Sequence, residues 1–396
     1  MKVFLSDLHI GDGTAKDDFY FDDDITKLLN DLYYTSKVEL YIVGDFFELL
    51  ESSIVREMDL YPMEKIMNSL DEKVILEIEK AHSKFFSTLR KFAIKHTVRY
   101  IIGNHDYYIL KNEKIKNYLL NFFPKMEILP HYYDEEYGIW VQHGNQYDVT
   151  NKFNLSKNNE LVPPLGDYLA RYNMKHFEKK LYNSGLPIEI IKDYDNVRPI
   201  FDVFQWFKYV DNEFGSGLTE EWVDSFIKMI KSDGARYWLK KNFPFLRIFT
   251  DLFVNRTGGM VLGTYVVNSI SKRRGANKTS YLFNTAKKMF TADEFIENRL
   301  TEKDVLGYFE RAPEIDYSKL NFVIFGHTHS PFFRAMKVKN KMKYYINTGT
   351  WKPVVEKIGR KISEGFLRKN EINYVILNKN GKSIEAETRL INKVLS

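Results

Sequence analysis

The chain has 396 residues, 44% of them hydrophobic, which is the composition of a folded globular protein and a length that suits two or three domains. It contains no cysteine, which excludes disulfides, thiolate metal sites and cysteine nucleophiles, so any metal must be bound by His, Asp, Glu or Asn. The net charge of +5 is too small to indicate a class of partner.

The first third of the chain alternates short apolar strands with helices. Apolar runs predict strands at residues 2–6, 39–43 and 98–102, with helical spacing over residues 24–34 and a long helix over about 63–95. Each strand stops at a polar loop whose side chains are suited to metal binding. The three loops are Ser6-Asp7-Leu8-His9, Gly44-Asp45-Phe46-Phe47-Glu48 and Gly103-Asn104-His105-Asp106.

Two more pairs of strand and polar loop follow later in the chain. The strand at 138–142 stops at His143-Gly144-Asn145, and the strand at 322–325 stops at Gly326-His327-Thr328-His329. Hairpin-like strands are predicted near 332–349 and 371–390. Active-site loops of layered α/β folds gather at the carboxyl ends of strands, so we expect the five loops to meet above mixed sheets covered by helices.

The histidines are concentrated in these loops, which contain five of the nine. A single pair such as Asp7 and His9 is weak evidence, because polar residues are ordinary in turns. His327 and His329, two imidazoles two residues apart after a buried strand, are harder to explain by packing. We interpret the other four histidines as structural or surface residues: His82, His96, His131 and His176.

Taken in order, the five loops resemble the motif series of the calcineurin-like metallophosphoesterase superfamily. That series is Asp-x-His, Gly-Asp-x-x-(Asp/Glu), Gly-Asn-His-(Asp/Glu), an isolated His and Gly-His-x-His, and the chain has all five elements within residues 1–150 and 316–396. The resemblance implies an α/β fold, a four-layer α/β/β/α sandwich of two mixed sheets flanked by helices.

The resemblance also implies a site for two divalent metal ions. One metal would be bound by Asp7, His9, Asp45 and His329, and the other by Asp45, Asn104, His143 and His327. Asp45 would bridge the two ions, and a hydroxide between them would attack phosphorus. We expect Mn²⁺, with Fe, Zn, Ni or Co as alternatives that the same ligands accept.

The catalytic residues that the resemblance implies are His105, Glu48 and Asn104. His105 would serve the leaving group as proton donor or charge stabiliser and would bind no metal. Glu48 would orient His105, and Asn104 would contact a metal and a phosphate oxygen. Asp106 is left open between a supporting role and a cap of the loop.

The branch of the superfamily bears on the substrate. Serine/threonine protein phosphatases carry an arginine after the Gly-Asp motif and another after the Asn-His motif. This chain lacks both arginines. Gly44-Asp45-Phe46-Phe47-Glu48 is closer to the UDP-2,3-diacylglucosamine hydrolases, although those enzymes have arginine at the position of His105 and are much shorter. We expect hydrolysis of a phosphodiester or a pyrophosphate. A nuclease of the same superfamily and a non-catalytic binding scaffold are the alternatives.

The predicted organisation is a metallophosphoesterase core at 1–150 and 316–396, interrupted by a mainly helical insertion or cap at 151–315. Residues 228–288 contain thirteen Lys or Arg against only Asp233 and Asp251, among many aromatic residues. Such a cap suits an anionic phosphate ester substrate, with an anionic lipid or membrane surface as a further partner. A helical cap with its own aromatic core and solvated charges is one alternative, and a surface that binds nucleic acid is the other. No protein partner is predicted.

We expect a cytoplasmic location, peripheral at the membrane if the basic surface binds lipid. No run of about 18 or more uncharged apolar residues is present. The apolar residues at the start of the chain are too few for a signal-peptide core and are interrupted by Asp7.

Overall fold

Two mixed β-sheets form the centre of the fold in the computed structural model, which describes residues 1–58, 63–148, 151–155, 161–198, 202–232, 278–291 and 317–393. The strands are β1 Lys2–Leu5, β2 Glu39–Val43, β3 Thr97–Ile101, β4 Met126–Leu129, β5 Tyr132–Asp134, β6 Ile139–Val141, β7 Asn154–Leu155, β8 Leu161–Val162, β9 Phe322–Phe325, β10 Phe332–Val338, β11 Lys341–Asn347, β12 Val354–Lys357, β13 Phe366–Asn380 and β14 Ser383–Lys393.

The first sheet has the strand order β12-β13-β1-β2-β3-β4, and β14 also pairs with β13. Strands β1 to β4 run parallel, and β13 is antiparallel to β1. The second sheet has the order β10-β11-β9-β6-β5, in which β9 is parallel to both β6 and β11. The parallel strands therefore end at a common edge of each sheet, and the loops that follow them lie near one another.

Helices cover both outer faces of the paired sheets. They are α1 Asp22–Tyr33, α2 Ser53–Glu57, α3 Met63–Ser69, α4 Lys73–Ala81, α5 Ser83–Lys95, α6 Glu113–Phe122, α7 Leu165–Tyr172, α8 Glu178–Tyr182, α9 Ile188–Asp193, α10 Val203–Phe214, α11 Leu218–Lys231 and α12 Lys278–Thr291, with a π-helix at Asn173–Phe177. No helix in the described ranges is both long and apolar enough to cross a membrane.

Three hydrophobic clusters separate the layers. Side chains such as Phe4 and Ile324 fill the space between the sheets. Alternate residues of the first sheet, including Val3, pack against α1 and α5, and those of the second sheet, including Val323, pack against Leu282 of α12. The predicted fold of two mixed sheets with flanking helices is confirmed.

The long helix expected over 63–95 is wrong as a single element, because the chain forms α3, α4 and α5 there. Asp71 accepts a hydrogen bond from the backbone N–H of Lys73, which starts a new helix after Leu70. His82 separates α4 from α5, and its imidazole contacts Asp17 and Asp22 at 2.8 Å each. These side-chain bonds compete with a continuous helix.

Helices α8 to α11 share a hydrophobic core of their own, built around Trp206, Phe207 and Trp222. Val355 of β12 belongs to the same core, and Val197 pairs with it in an isolated parallel bridge. This packing joins the predicted insertion to the first sheet. The division at 150 and 315 stays a prediction, and most of the basic segment 228–288, from 233 to 277, lies outside the described residues.

Candidate metal centre

The five polar loops meet at the carboxyl ends of β1, β2, β3, β6 and β9. The seven residues predicted to bind metal are all buried, with no more than 7% of any of them exposed. They are Asp7, His9, Asp45, Asn104, His143, His327 and His329. Two of the seven are carboxylates and four are imidazoles, a donor set that suits divalent transition metals.

The first group is formed by Asp7, His9 and His329. The Nε2 atoms of His9 and His329 lie 3.2 Å apart, and Asp7 Oδ1 lies 3.2 Å from His329 Nε2. Asp7 Oδ1 is 3.9 Å from His9 Nε2. These three donor atoms lie close enough together to bind one cation.

The second group is formed by Asp45, His143 and His327, whose donor atoms lie within 4.8 Å of one another. Asp45 Oδ2 lies 3.0 Å from His143 Nε2 and 3.8 Å from His9 Nε2, so this oxygen faces both groups. His9, Asp45 and His105 satisfy the same distance test as a third group. Distance alone therefore does not exclude His105 as a ligand.

Hydrogen bonding tests whether these residues fit a metal. Three of the predicted ligand atoms are buried and form no hydrogen bond with the described residues: Asp7 Oδ1, Asn104 Oδ1 and His143 Nε2. One oxygen of each predicted carboxylate ligand accepts a backbone hydrogen bond. Asp7 Oδ2 accepts from the N–H of His327, and Asp45 Oδ1 accepts from the N–H of His105. Buried polar atoms without partners are costly, and a cation would satisfy them. The residues fit a metal site.

The charges of the buried carboxylates also fit a bound cation. Burial and the neighbouring Asp45 raise the pKa of Asp7 to about 7, although His143 opposes the shift. Two carboxylates so close together in a buried site repel each other unless positive charge lies between them. A divalent cation supplies that charge.

The backbone is strained at five of the residues predicted to bind metal. Among non-glycine residues of the described ranges, positive φ angles occur at Asp7 (52°), His9 (49°), Asp45 (50°), His327 (70°) and His329 (58°), and otherwise only in the turn at Lys339 and Asn340. Such conformations are unfavourable for residues with a Cβ and persist where the surrounding structure imposes them. Their concentration at the ligands indicates a site held in one geometry by the fold.

Two glycines allow the loops to approach closely. A Cβ on Gly103 would lie 2.1 Å from Asp45 Oδ1, and one on Gly44 would lie 2.2 Å from His143 Nδ1. Gly44 also has a φ of 85°, which side chains rarely permit. Both glycines, which precede Asp45 and Asn104, are therefore required by contact, and Gly44 is required by its conformation as well.

Three imidazoles are oriented by a partner on the side away from the cluster. His9 Nδ1 lies 2.9 Å from Glu48 Oε2, and His143 Nδ1 lies 2.8 Å from the carbonyl of Val43. His327 Nε2 lies 3.1 Å from Asp148 Oδ2. A nitrogen that faces an acceptor carries the proton, so the other nitrogen of each ring keeps its lone pair for a cation.

Glu48 joins His9 to His105. Its second oxygen, Oε1, lies 2.7 Å from His105 Nδ1. Burial alone would lower the pKa of His105, but Glu48 and then Asp45 raise it to about 10. His105 is about one-third exposed, so its ring is held by Glu48 and still reaches the cleft.

Asp106 caps the loop, which resolves the alternative left open above. Its Oδ1 accepts from the N–H of Gly103 at 2.7 Å. Its Oδ2 accepts from the N–H of Phe46 at 2.7 Å and from the Tyr100 hydroxyl at 2.5 Å. The carboxylate ties the loop after β3 to the loop after β2, and this fixes Asp45 relative to Asn104.

Three residues near the cluster were not found from the sequence. Asp148 follows His143 by five residues and contacts His327. Arg198 Nη2 lies 3.2 Å from His329 Nδ1, and Lys352 lines a cavity that also reaches His9 and Glu48. Arg198 and Lys352 belong to no motif, so only the tertiary structure brings them to the site.

The four remaining histidines lie away from the cluster. His82 contacts two carboxylates, His96 lies between the Val38 N–H and the Tyr33 carbonyl, and His131 stacks on Trp140. His176 is exposed on the surface. None of the four belongs to a metal-type group among the described residues.

A family model described as calcineurin-like phosphoesterase matches residues 3–226. No curated protein matches the chain. The matched segment is more than half of the 396 residues and includes four of the five loops, up to His143.

Proposed function

Because the chain belongs to the calcineurin-like phosphoesterase family and is thus a metal-dependent phosphoesterase, we propose that it hydrolyses a phosphodiester or a pyrophosphate at two divalent metal ions. The observation that carries the proposal is the pair of buried groups with Asp45 Oδ2 between them, 3.0 Å from His143 Nε2 and 3.8 Å from His9 Nε2. A shared carboxylate offsets the repulsion between two cations about 3.5–4 Å apart.

In this proposal Asp7, His9 and His329 bind one cation, and His143, His327 and Asn104 bind the other. Asp45 contributes to both. When bound, two such cations lower the pKa of water and withdraw charge from phosphate oxygens. Asn104 is suited to bind the second cation because its Oδ1 is buried and forms no hydrogen bond with the described residues.

His105 holds the proton for the leaving oxygen. Its Nδ1 is bonded to Glu48, so its Nε2 is the nitrogen available to a substrate. Burial lowers the pKa of His105, but in the metal-free site Glu48 and Asp45 raise it to about 10, which favours the charged ring near neutral pH. A charged imidazole in this position donates a proton to an alkoxide or stabilises its charge.

The remaining details of function are proposals that rest on the sequence. We propose Mn²⁺ as the metal, a cytoplasmic location and a substrate that is lipid-linked or nucleotide-like, as in the UDP-2,3-diacylglucosamine hydrolases that the chain resembles. Contact with an anionic lipid or membrane surface through 228–288 belongs to the same proposal. A nuclease is the alternative enzyme.

Hydrolysis of bis-p-nitrophenyl phosphate with Mn²⁺ tests the proposal. We expect activity in the wild type and a loss of about 100-fold or more in Asn104→Ala and His105→Ala. Metal content by mass spectrometry should fall in Asn104→Ala and stay at the wild-type level in His105→Ala. A His176→Ala variant, changed at the surface, is the control. An inactive wild type with both metals bound would favour a non-catalytic scaffold.

A further inference from the structure

A short buried turn follows His105 almost directly. Tyr107–Leu110 form one turn of 3-10 helix, in which Tyr107 and Tyr108 are at most 2% exposed. On the side of the ligand cluster, the main chain is fixed because the N–H of His105 donates to Asp45 Oδ1 at 2.9 Å. On the other side, the main chain runs into the turn within two residues. The direction of the His105 ring therefore depends on how the turn is held.

The turn is held by a buried carboxylate. The hydroxyls of Tyr107 and Tyr108 both donate to Asp167 Oδ2, at 2.8 and 2.7 Å, and Asp167 is only 5% exposed. Burial, and after it Asp167, raises the pKa of both hydroxyls well above the usual value, so both stay protonated and act as donors. Two hydroxyls bonded to a single oxygen leave the turn little freedom to shift.

Helix α7 holds this carboxylate in place. Asp167 lies in its first turn, and Arg171 follows one turn later on the same face. The guanidinium of Arg171 donates to the backbone carbonyls of Val55 and Met58, at the C-terminal end of α2. A chain of contacts therefore joins α2 through α7 to the turn that follows His105.

Packing alone does not require a polar link at this place. Phenylalanine would fill nearly the same volume as either tyrosine, and the ring of Tyr107 already stacks on Phe153 at 5.0 Å. The carboxylate is costly, since burial raises the pKa of Asp167 to about 7 although Tyr108, Tyr107 and the charge of His105 oppose the rise. Such a buried polar group is expected where one geometry matters. The residue beside the turn that needs a fixed direction is His105.

We propose that Asp167 is a positioning residue for the proton transfer to the leaving oxygen. Through Tyr107 and Tyr108 it holds the main chain that carries His105, whereas Glu48 holds the Nδ1 of the ring. Both contacts are needed to aim Nε2, because Glu48 fixes only one atom of the ring. A displacement of about 1 Å in such a group costs up to about 100-fold in rate. The inference rests on the proposed function and adds a residue of α7 to it.

Two phosphodiesters with different leaving groups test the proposal. Phenol is a weaker acid than p-nitrophenol, so hydrolysis of diphenyl phosphate depends more on a proton donor than hydrolysis of bis-p-nitrophenyl phosphate. With Mn²⁺ bound, we expect Asp167→Ala to lower kcat by about 100-fold on diphenyl phosphate and by about tenfold on bis-p-nitrophenyl phosphate. KM and metal content should stay at the wild-type values, because Asp167 acts through His105. A purely structural loss would lower both rates by the same factor.

Further variants keep the test decisive if Asp167→Ala folds poorly. Asp167→Asn retains an oxygen that accepts from the hydroxyls and should recover most of kcat on both substrates. Tyr108→Phe keeps the ring but removes one hydroxyl. It should show part of the same dependence on leaving group, and no further loss when combined with Asp167→Ala. Asp211→Ala is the matched control, because Asp211 accepts from the hydroxyl of Thr219 between α10 and α11. It should leave the ratio of the two kcat values unchanged.

His105→Ala is the reference and should show the largest dependence on leaving group. If it does, an equal loss on both substrates in Asp167→Ala, or no loss on either, would overturn the positioning role alone. Equal losses in His105→Ala would instead contradict the proposed function of His105, and the inference with it. Circular dichroism melting identifies a variant that has lost its fold, in which case Tyr108→Phe decides.

Discussion

At the scale of single residues, Glu48 is the carboxylate that contacts two imidazoles of the site, those of His9 and His105. It is buried and accepts from two imidazoles, one predicted to bind metal and one predicted to serve the leaving group. Burial alone would raise its pKa, but His105 and His9 hold the pKa of this carboxyl well below its usual range. One side chain thus sets the orientation of both rings.

Replacing Glu48 with Gln tests this double role. The amide retains one acceptor oxygen, so only one of the two Nδ1–H groups keeps its partner. We expect kcat on bis-p-nitrophenyl phosphate to fall by about 10- to 100-fold and metal affinity to fall by about tenfold. Glu136→Gln, at an exposed surface pair, is the matched control. Unchanged kcat and metal content would show that Glu48 is only a structural carboxylate.

His82 makes the free energy of unfolding depend on pH in a way that does not involve the metal. Burial lowers its pKa, but bonds to Asp17 and Asp22 raise it more, to about 9, above the ordinary value of 6.5. Its contribution to the free energy of unfolding is therefore complete below pH 6.5 and is lost as pH rises through about 9. After allowance for solvent screening we expect about 1–2 kcal/mol.

Urea unfolding of the wild type and His82→Gln between pH 6 and pH 9.5 measures this effect, in metal-free buffer. The difference between the two free energies of unfolding should be largest at the lowest pH and shrink towards the highest. A difference that is constant across the range would mean that His82 does not change protonation there.

At the scale of elements, parallel strands ending at one edge bring the ligand loops together. Each loop begins within a residue or two of the end of its strand, so the position of a ligand follows from the strand register. The loops are also packed tightly against one another, as the contacts of Gly44 and Gly103 show. A small change in one loop should therefore displace a ligand in another.

Gly103→Ala tests that coupling. The added methyl group would overlap Asp45 Oδ1, so Asp45 must shift. We expect Mn²⁺ affinity measured by calorimetry to fall by about tenfold or more, with a loss of stability of about 1–3 kcal/mol. Gly185→Ala has a positive φ but nothing within 4 Å of its Cβ, so it reports the backbone cost alone. Equal effects of the two substitutions on Mn²⁺ binding would contradict the argument.

At the scale of the whole molecule, residues 161–198 are linked to the core beside the metal-ligand cluster. Asp167 accepts from the hydroxyls of Tyr107 and Tyr108, which follow the Asn104 loop directly. Arg171 donates to the carbonyl of Met58 at 2.9 Å. The region predicted as an insertion therefore supports the loop that carries His105.

Metal removal should affect the stability of the whole protein. A ligand that binds only the folded state stabilises it by about 2.7 kcal/mol at 100 times its dissociation constant. We expect the unfolding temperature measured by calorimetry to rise by several degrees when Mn²⁺ replaces EDTA. Asp45→Asn, which weakens a shared ligand, should remove most of the rise. An equal rise in this variant would place the stabilising metal elsewhere.

The residues that meet in the metal-type groups could be singled out from the sequence because they follow short apolar strands within a few residues. The local sequence is sufficient to place these residues. A buried strand ends, a glycine permits a turn, and the polar residue that follows therefore lies near the strand end. The break at His82 could not be found in this way, because it depends on Asp17 and Asp22 from another part of the chain. The helical spacing of residues 63–95 does not indicate that His82 contacts Asp17 and Asp22.

The sequence by itself determined mixed sheets with flanking helices and the polar residues at the loop ends, because these depend on patterns only a few residues long, and the family resemblance implied that the sheets are two. Only the tertiary structure decided which nitrogen of each imidazole faces the cluster, that Asp106 ties two loops together, and that Arg198 and Lys352 lie beside His329 and His9. These contacts join residues far apart in the chain, so they arise from packing and leave no local pattern.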